Sequence, residues 1–130
     1  MIKIEHLAIW VRDLEASRSF YEKYFEMTSG EKYINPKKNF SSYFLSFNGH
    51  STRLELMHRP DITEALSDKA ISFGLTHFAI SVGSKDQVDR LTNLLAHDGF
   101  TIVGQPRTTG DGYYESVVLD PDGNHIEITI

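Results

Sequence analysis

Two histidines and two glutamates occupy matched positions along the chain. His6 opens the run His6-Leu7-Ala8-Ile9-Trp10-Val11, and 71 residues later His77 opens His77-Phe78-Ala79-Ile80-Ser81-Val82. Glu55 lies in Leu54-Glu55-Leu56, and 72 residues later Glu127 lies in Ile126-Glu127-Ile128. The interval from His to Glu is therefore 49 residues in the first half and 50 in the second, so the two copies run in step. A carboxylate inside an apolar strand is costly to desolvate unless it is paired or bound to a cation. Neutral imidazole nitrogen and ionised carboxylate oxygen together suit borderline divalent metals. Any one of the four taken alone reads more readily as a hydrogen-bonded strand residue or half of an ion pair. Their shared register makes His6, Glu55, His77 and Glu127 a candidate four-ligand metal site.

The elements that must position these residues also occur twice. After the first strand, Asp13 is placed to cap a helix whose Leu14, Phe20, Tyr21, Tyr24 and Phe25 recur at helical spacing. After the second copy of that strand, Ser84 with Gln87 forms a capping-box pattern, opening a helix through Val88, Leu91, Leu94 and Leu95 that ends near Gly99. The first half continues with strands expected at Glu31 to Ile34, Ser41 to Phe47 and Thr52 to Met57. A loop at 35–39 separates the first two, and the Asn48-Gly49 hairpin signal joins the last two. The second half offers Thr101 to Pro106, Tyr113 to Leu119 and His125 to Ile130, with the turn Asp120-Pro121-Asp122-Gly123 before the last. The order is βαβββ, twice: an α+β chain of two tandem modules, about 1–59 and 74–130, joined by a connector at about 60–73 that has room for a helical turn. Strand alternation puts Leu7, Ile9 and Val11 under the helix and His6, Ala8 and Trp10 on the opposite face. By the same rule Glu55 and Glu127 point away from their helices, with Arg53 and Met57 sharing the face of Glu55 and His125 that of Glu127.

Composition narrows the partners. One hundred and thirty residues fit a single domain, and 40% hydrophobic content supports a real core. A net charge of −5 disfavours a nucleic-acid partner. With no cysteine, thiolate metal sites, disulfides and cysteine nucleophiles are excluded, and any metal must bind through His, Asp or Glu. No apolar run approaches the roughly 18 residues of a membrane span, so the expectation is a cytoplasmic protein with no membrane partner.

The paired βαβββ modules, with His6 and Glu55 in one and His77 and Glu127 in the other, resemble the vicinal oxygen chelate superfamily. That superfamily includes glyoxalase I, methylmalonyl-CoA epimerase, extradiol dioxygenases, fosfomycin-resistance enzymes and bleomycin-resistance proteins. The resemblance covers the whole chain. It is carried most specifically by Leu119-Asp120-Pro121-Asp122-Gly123-Asn124-His125-Ile126-Glu127 and by Val11-Arg12-Asp13-Leu14 through Ser19-Phe20-Tyr21. It implies curved mixed sheets enclosing a metal-centred cavity, one divalent ion per site (Zn, Ni, Co, Mn or Fe), a small-molecule substrate and a homodimer. The order His, Glu, His, Glu is that of the glyoxalase I branch. The implied activity is a metal-dependent lyase or isomerase of lactoylglutathione lyase type acting through an enediolate-type intermediate. Glu127 is then the expected base, with Glu55 its near-symmetric alternative. An extradiol-type dioxygenase would instead use His6, His77 and Glu127 on iron, and a non-catalytic binding or resistance protein would use the cavity alone. The resemblance leaves open whether one chain or two supply the four ligands. Where bacterial glyoxalase I holds glutathione with an Arg and an Asn, four residues after the first His and the first Glu, this chain has Trp10 and Arg59, so that site is not reproduced.

Trp10, Arg53 and Arg59 are the candidate substrate-binding residues. Each also has a plainer reading, Trp10 as packing at an interface and the arginines as partners of carboxylates. His125 is a candidate to support the ligands from behind or an exposed residue at a strand start. His50, His58 and His97 have no repeat partner and read as surface or turn residues. Lys37-Lys38 is too short a basic run to indicate nucleic acid, and Tyr113-Tyr114 beside the Gly110 to Gly112 loop reads as a flap or a plain hairpin.

Overall fold

A computed structural model describes residues 1–64 and 68–130. The chain divides into two compact units, Met1–Glu64 and Ala65–Ile130. Of the connector foreseen at 60–73, residues 65–67 lie outside the described residues.

In the first unit, β1 (His6–Trp10) leads into α1 (Leu14–Phe25). Asp13 caps the helix as expected, its carboxylate accepting from the Ala16 N–H at 3.0 Å. Next come β2 (Thr28–Ser29), β3 (Tyr33–Asn35), a short 3₁₀ turn at Pro36–Lys38, β4 (Phe40–Ser46) and β5 (Arg53–His58). The sheet order is β1-β5-β4-β2, with β3 also on β4, and β1 runs parallel to β5 while the other pairs are antiparallel. The strand expected at Glu31 to Ile34 appears as β3 at Tyr33–Asn35, and a further two-residue piece, β2, precedes it. Ser29 pairs with Leu45 and Tyr33 with Ser42, four steps against three, so one extra residue interrupts the ladder as a bulge does. The Gly30 N–H still reaches the Phe44 carbonyl at 2.9 Å across the break.

The second unit repeats the scheme with β6 (His77–Ser81), α2 (Lys85–His97), β7 (Ile102–Thr108), β8 (Tyr114–Leu119) and β9 (His125–Thr129) in the order β6-β9-β8-β7. β6 and β9 are parallel and the remaining pairs antiparallel. Here β7 stays continuous through two register shifts, and its Pro106 is tolerated because β7 is an edge strand. The capping box forms only by half: Ser84 accepts from the Gln87 N–H at 3.3 Å, but the Gln87 side chain accepts from Arg90 at 2.7 Å instead of turning back. Gly99 closes α2 at φ +93°, a left-handed position that glycine adopts without a Cβ penalty. A 3₁₀ turn at Lys69–Ile71, capped by Asp68, gives the connector its helical turn.

Each unit buries its own core between helix and sheet. Leu14, Phe20, Tyr21 and Phe25 of α1 meet Leu45, Leu54 and Leu56; Val88, Leu91 and Leu95 of α2 meet Val118, Ile126 and Ile128. A polar pin to the helix starts from the same sheet position in both. Tyr43, opposite Leu56, donates to Glu15 at 2.7 Å, and Ser116, opposite Ile128, shares a buried 2.7 Å hydrogen bond with Thr92. Neither sheet closes on itself, because β1 and β6 end their sheets as open edges. One face of each sheet is therefore covered by its helix, and the other carries the candidate ligands.

Candidate metal centre

Alternation does what the sequence implied. Along β1 the exposed residues are His6, Ala8 and Trp10, while Leu7 and Ile9 are half-buried under α1. In β5, Leu54 and Leu56 are buried, and Arg53, Glu55 and Met57 lie on the open face. The second unit shows the same division, with Ile126 and Ile128 fully buried and His125 and Glu127 partly accessible.

Parallel pairing of the first and last strands of each unit then brings His and Glu together within that unit. His6 Nε2 lies 3.7 Å from Glu55 Oε1, and His77 Nε2 lies 3.1 Å from Glu127 Oε1. Zn–N and Zn–O bonds of about 2.0–2.2 Å, at angles between about 90° and 110°, place two donors about 3.0–3.5 Å apart. The second pair already has the spacing of donors sharing one ion, and the first is slightly wider. The carboxylates are the more sheltered members: Glu55 and Glu127 side chains are 14% and 24% exposed, against 38% and 42% for His6 and His77. Among the described residues no three His, Asp or Glu side chains gather as a ligand group, and each unit carries one candidate His–Glu pair.

The surroundings of the two pairs differ. In the first unit the carboxylate of Glu5 accepts from His6 Nδ1 and, at 2.8 Å, from Arg53 Nε. The hydrogen bond from His6, aided by Arg53, holds the Glu5 carboxyl below its usual range. The Arg53 guanidinium lies 4.0 Å over the Phe44 ring, and Phe44 meets the His6 ring edge-on at 5.2 Å. In the second unit Glu115 hydrogen-bonds to Glu127. Burial first, then the charge and hydrogen bond of Glu127, push the Glu115 carboxyl above its usual range. His125, the register partner of His77, has a buried Nδ1 with no hydrogen-bond partner among the described residues.

Trp10 is 38% exposed on the face of His6, edge-on to Phe40 at 6.2 Å and beneath the Arg59 guanidinium at 5.8 Å. Arg59 pairs with Asp61 through two hydrogen bonds, one of them 2.9 Å from Nε. Phe40 also lines a groove of about 340 Å³ with Lys32, Ile34, Pro36 and Pro60, so the groove adjoins Trp10. His50 and His97 are exposed, as read from sequence. His58 is not a turn residue: it ends β5, half-buried, its Nδ1 3.0 Å from the Val11 carbonyl. Glu5 and Glu115 escaped the sequence reading because neither has a chemical counterpart in the other module. The one available signal was their polarity beside or within a ligand strand.

The closing turn before Glu127 is internally tied. The buried Asp120 carboxylate accepts from the N–H groups of Asp122 and Asn124 and from the Asn124 side chain at 2.8–2.9 Å, and Gly123 turns at φ +80°. Lys69 of the connector donates to Asn124 Oδ1 at 2.9 Å, fastening the connector turn to this hairpin.

Open-faced βαβββ units with a His–Glu pair on parallel neighbouring strands define a class, and comparison with known proteins agrees. The chain belongs to the Glyoxalase/Bleomycin resistance protein/Dioxygenase superfamily, whose model matches residues 3–128. The uncharacterized protein YqjT of Bacillus subtilis (strain 168) is 30% identical over 96% of both chains. The trypanothione-dependent glyoxalase I of Leishmania major is similar in structure, with a TM-score of 0.77 and 26% identity over 99% of this chain and 86% of that one. A possible glyoxalase from Bacillus cereus matches over the full length of both chains with a TM-score of 0.73 and 28% identity. Among the described residues no helix is long and apolar enough to cross a membrane.

Proposed function

We propose that this protein is a metal-dependent, glyoxalase-like lyase or isomerase acting on a small substrate with oxygens on adjacent carbons. The observation that carries the reading is the repeated His–Glu pair, 3.7 Å apart in one unit and 3.1 Å in the other. His6, Glu55, His77 and Glu127 would hold one divalent ion, and a homodimer is the expected assembly. The donor set, two imidazole nitrogens and two carboxylate oxygens, suits Zn, Ni, Co, Mn or Fe. When bound, the ion supplies Lewis-acid polarisation of the substrate oxygens.

The protein's own part is to move a proton between the adjacent carbons. Glu127 is the proposed base, with Glu55 its near-symmetric alternative. Glu55 is half of a pair whose histidine is itself tied down by Glu5. Trp10, Arg53 and Arg59 are the proposed substrate contacts. Both arginines carry a carboxylate partner, Glu5 and Asp61, so the surface beside His6 favours an uncharged oxygenated substrate with an apolar arm over a polyanionic one. The groove next to Trp10 would receive that arm.

Elemental analysis of the purified, untagged chain tests the reading, with His77→Ala as control. About one divalent ion per four-ligand set is expected, and it should be lost in the variant. Absence of metal after both native purification and reconstitution would overturn the mechanism and favour a binding protein.

A further inference from the structure

The two half-sites were matched by sequence, yet the residues around their histidines are not. Equivalent positions follow from the ladders: Arg53 is the register partner of His6 as His125 is of His77, and Phe44 is opposite Glu55 as Val117 is opposite Glu127. Glu5 precedes His6 where Thr76 precedes His77. Around His6 these residues make a closed ring of contacts. Glu5 takes the Nδ1 hydrogen bond, Arg53 grips Glu5 by its side chain at 2.8 Å and by its backbone N–H at 2.9 Å, Arg53 lies on Phe44, and Phe44 returns to the His6 ring. Thr76, His125 and Val117 can build no such ring.

An ionised carboxylate only accepts, so the shared proton must sit on Nδ1. That leaves the lone pair on Nε2, the nitrogen turned toward Glu55. A histidine whose other ring nitrogen is hydrogen-bonded to a carboxylate is fixed in tautomer and rotation and is the stronger metal ligand for it.

We propose that Glu5 is a positioning residue that holds His6 in the Nδ1–H tautomer with Nε2 presented to the metal, so that the first half-site is the pre-set half. The inference rests on the metal-site reading for its consequence, but the hold of Glu5 on His6 is testable without metal. Loss of Glu5 removes the lock on His6. Thr76, its positional counterpart, exerts no such hold on His77.

The experiment uses the full chain with Glu5→Gln, Glu5→Ala and, as control, Thr76→Val. Zn²⁺ affinity is measured by competition with a chromogenic chelator, and long-range ¹H–¹⁵N spectra of the metal-free protein read the tautomer of each histidine. Expected are a single Nδ1–H tautomer for His6 in the wild type and a mixture in Glu5→Ala. Zn²⁺ affinity should fall about 10–100-fold in Glu5→Ala, less in Glu5→Gln, whose amide oxygen still accepts, and hardly at all in Thr76→Val. An unchanged His6 tautomer, or an unchanged affinity, in Glu5→Ala overturns the inference. Glu5→Gln, nearly identical in shape, serves if the alanine variant folds poorly. A wild type that binds no Zn²⁺ but shows the locked tautomer would bring down the metal-site reading and leave the hold of Glu5 on His6 standing.

Discussion

Glu127 reaches His77 diagonally across a parallel ladder. The register partner of His77 is His125 and that of Glu127 is Ala79, yet His77 Nε2 comes within 3.1 Å of Glu127 Oε1. The first unit repeats this geometry, with His6 opposite Arg53, Glu55 opposite Ala8, and 3.7 Å between His6 and Glu55. In both units the residue opposite the glutamate on the parallel neighbour strand is alanine. Its single methyl group leaves open the space through which the imidazole crosses to the carboxylate.

That gap can be filled. Ala79→Leu places a branched side chain beside Glu127 and should weaken Zn²⁺ binding by about tenfold or more, roughly 1.4 kcal/mol. Because Ala79 is exposed, stability should change by only about 0.5 kcal/mol. Chelator competition and urea denaturation on the same preparation check both halves of the expectation, and unchanged Zn²⁺ affinity would show that the alanine is not needed for the pair.

Removing the negative charge of Glu127 should stop the chemistry without harming the fold. Glu127→Gln is expected to lower turnover of the metal-loaded protein by at least about 100-fold, the usual scale for losing a general base. The corresponding loss in Glu55→Gln should be smaller, since Glu127 is the proposed base. Exchange of the proton beside a substrate carbonyl, followed by NMR in deuterated buffer, separates the two. Equal losses would return Glu55 to the same standing as Glu127.

Acid should weaken the helix-to-sheet pin of the first unit. The hydrogen bond from Tyr43 holds the Glu15 carboxyl below its ordinary value, with Arg18 and Lys32 adding to it against the opposing effect of burial. A carboxyl whose folded pKa lies below its unfolded value contributes stability above the unfolded pKa, and that contribution is lost as pH falls through the folded one. Tyr43→Phe should therefore be destabilised relative to wild type at neutral pH, with the difference shrinking below about pH 4. Urea midpoints across that range test it; a difference independent of pH would mean that Glu15 is not the partner that matters.

Leu56 and Ile128 hold equivalent places, each fully buried and one residue beyond Glu55 or Glu127. Truncating either to alanine should cost about 2–5 kcal/mol, because each leaves a cavity between helix and sheet. Similar losses at both positions are expected from urea denaturation. A loss below about 1 kcal/mol at one of them would show that its unit repacks around the cavity.

Much of this was legible in the residues alone. The alternation of Leu7 and Ile9 with His6, Ala8 and Trp10, and of Leu54 and Leu56 with Glu55, is a period-two pattern that strand geometry converts directly into a covered face and an open one. Asp13 and Ser84 marked their helix starts for a similar reason, since a cap bonds only a few residues ahead. The break between β2 and β3 was not legible, because a bulge depends on the partner strand, 16 residues from Ser29 and 9 from Tyr33, and on neither segment by itself.

Residue type, spacing and strand period were enough to reveal the doubled module, the candidate donors and the sheet face on which each stands. The fold was needed to show that His and Glu meet diagonally across a parallel pair, that Arg53 hydrogen-bonds to Glu5, and that Glu115 lies beside Glu127. His6 and Arg53 are 47 residues apart and become neighbours only through the register of β1 on β5. Cross-strand register is set by hydrogen bonds and packing summed over a whole sheet, and no local pattern in either strand carries it.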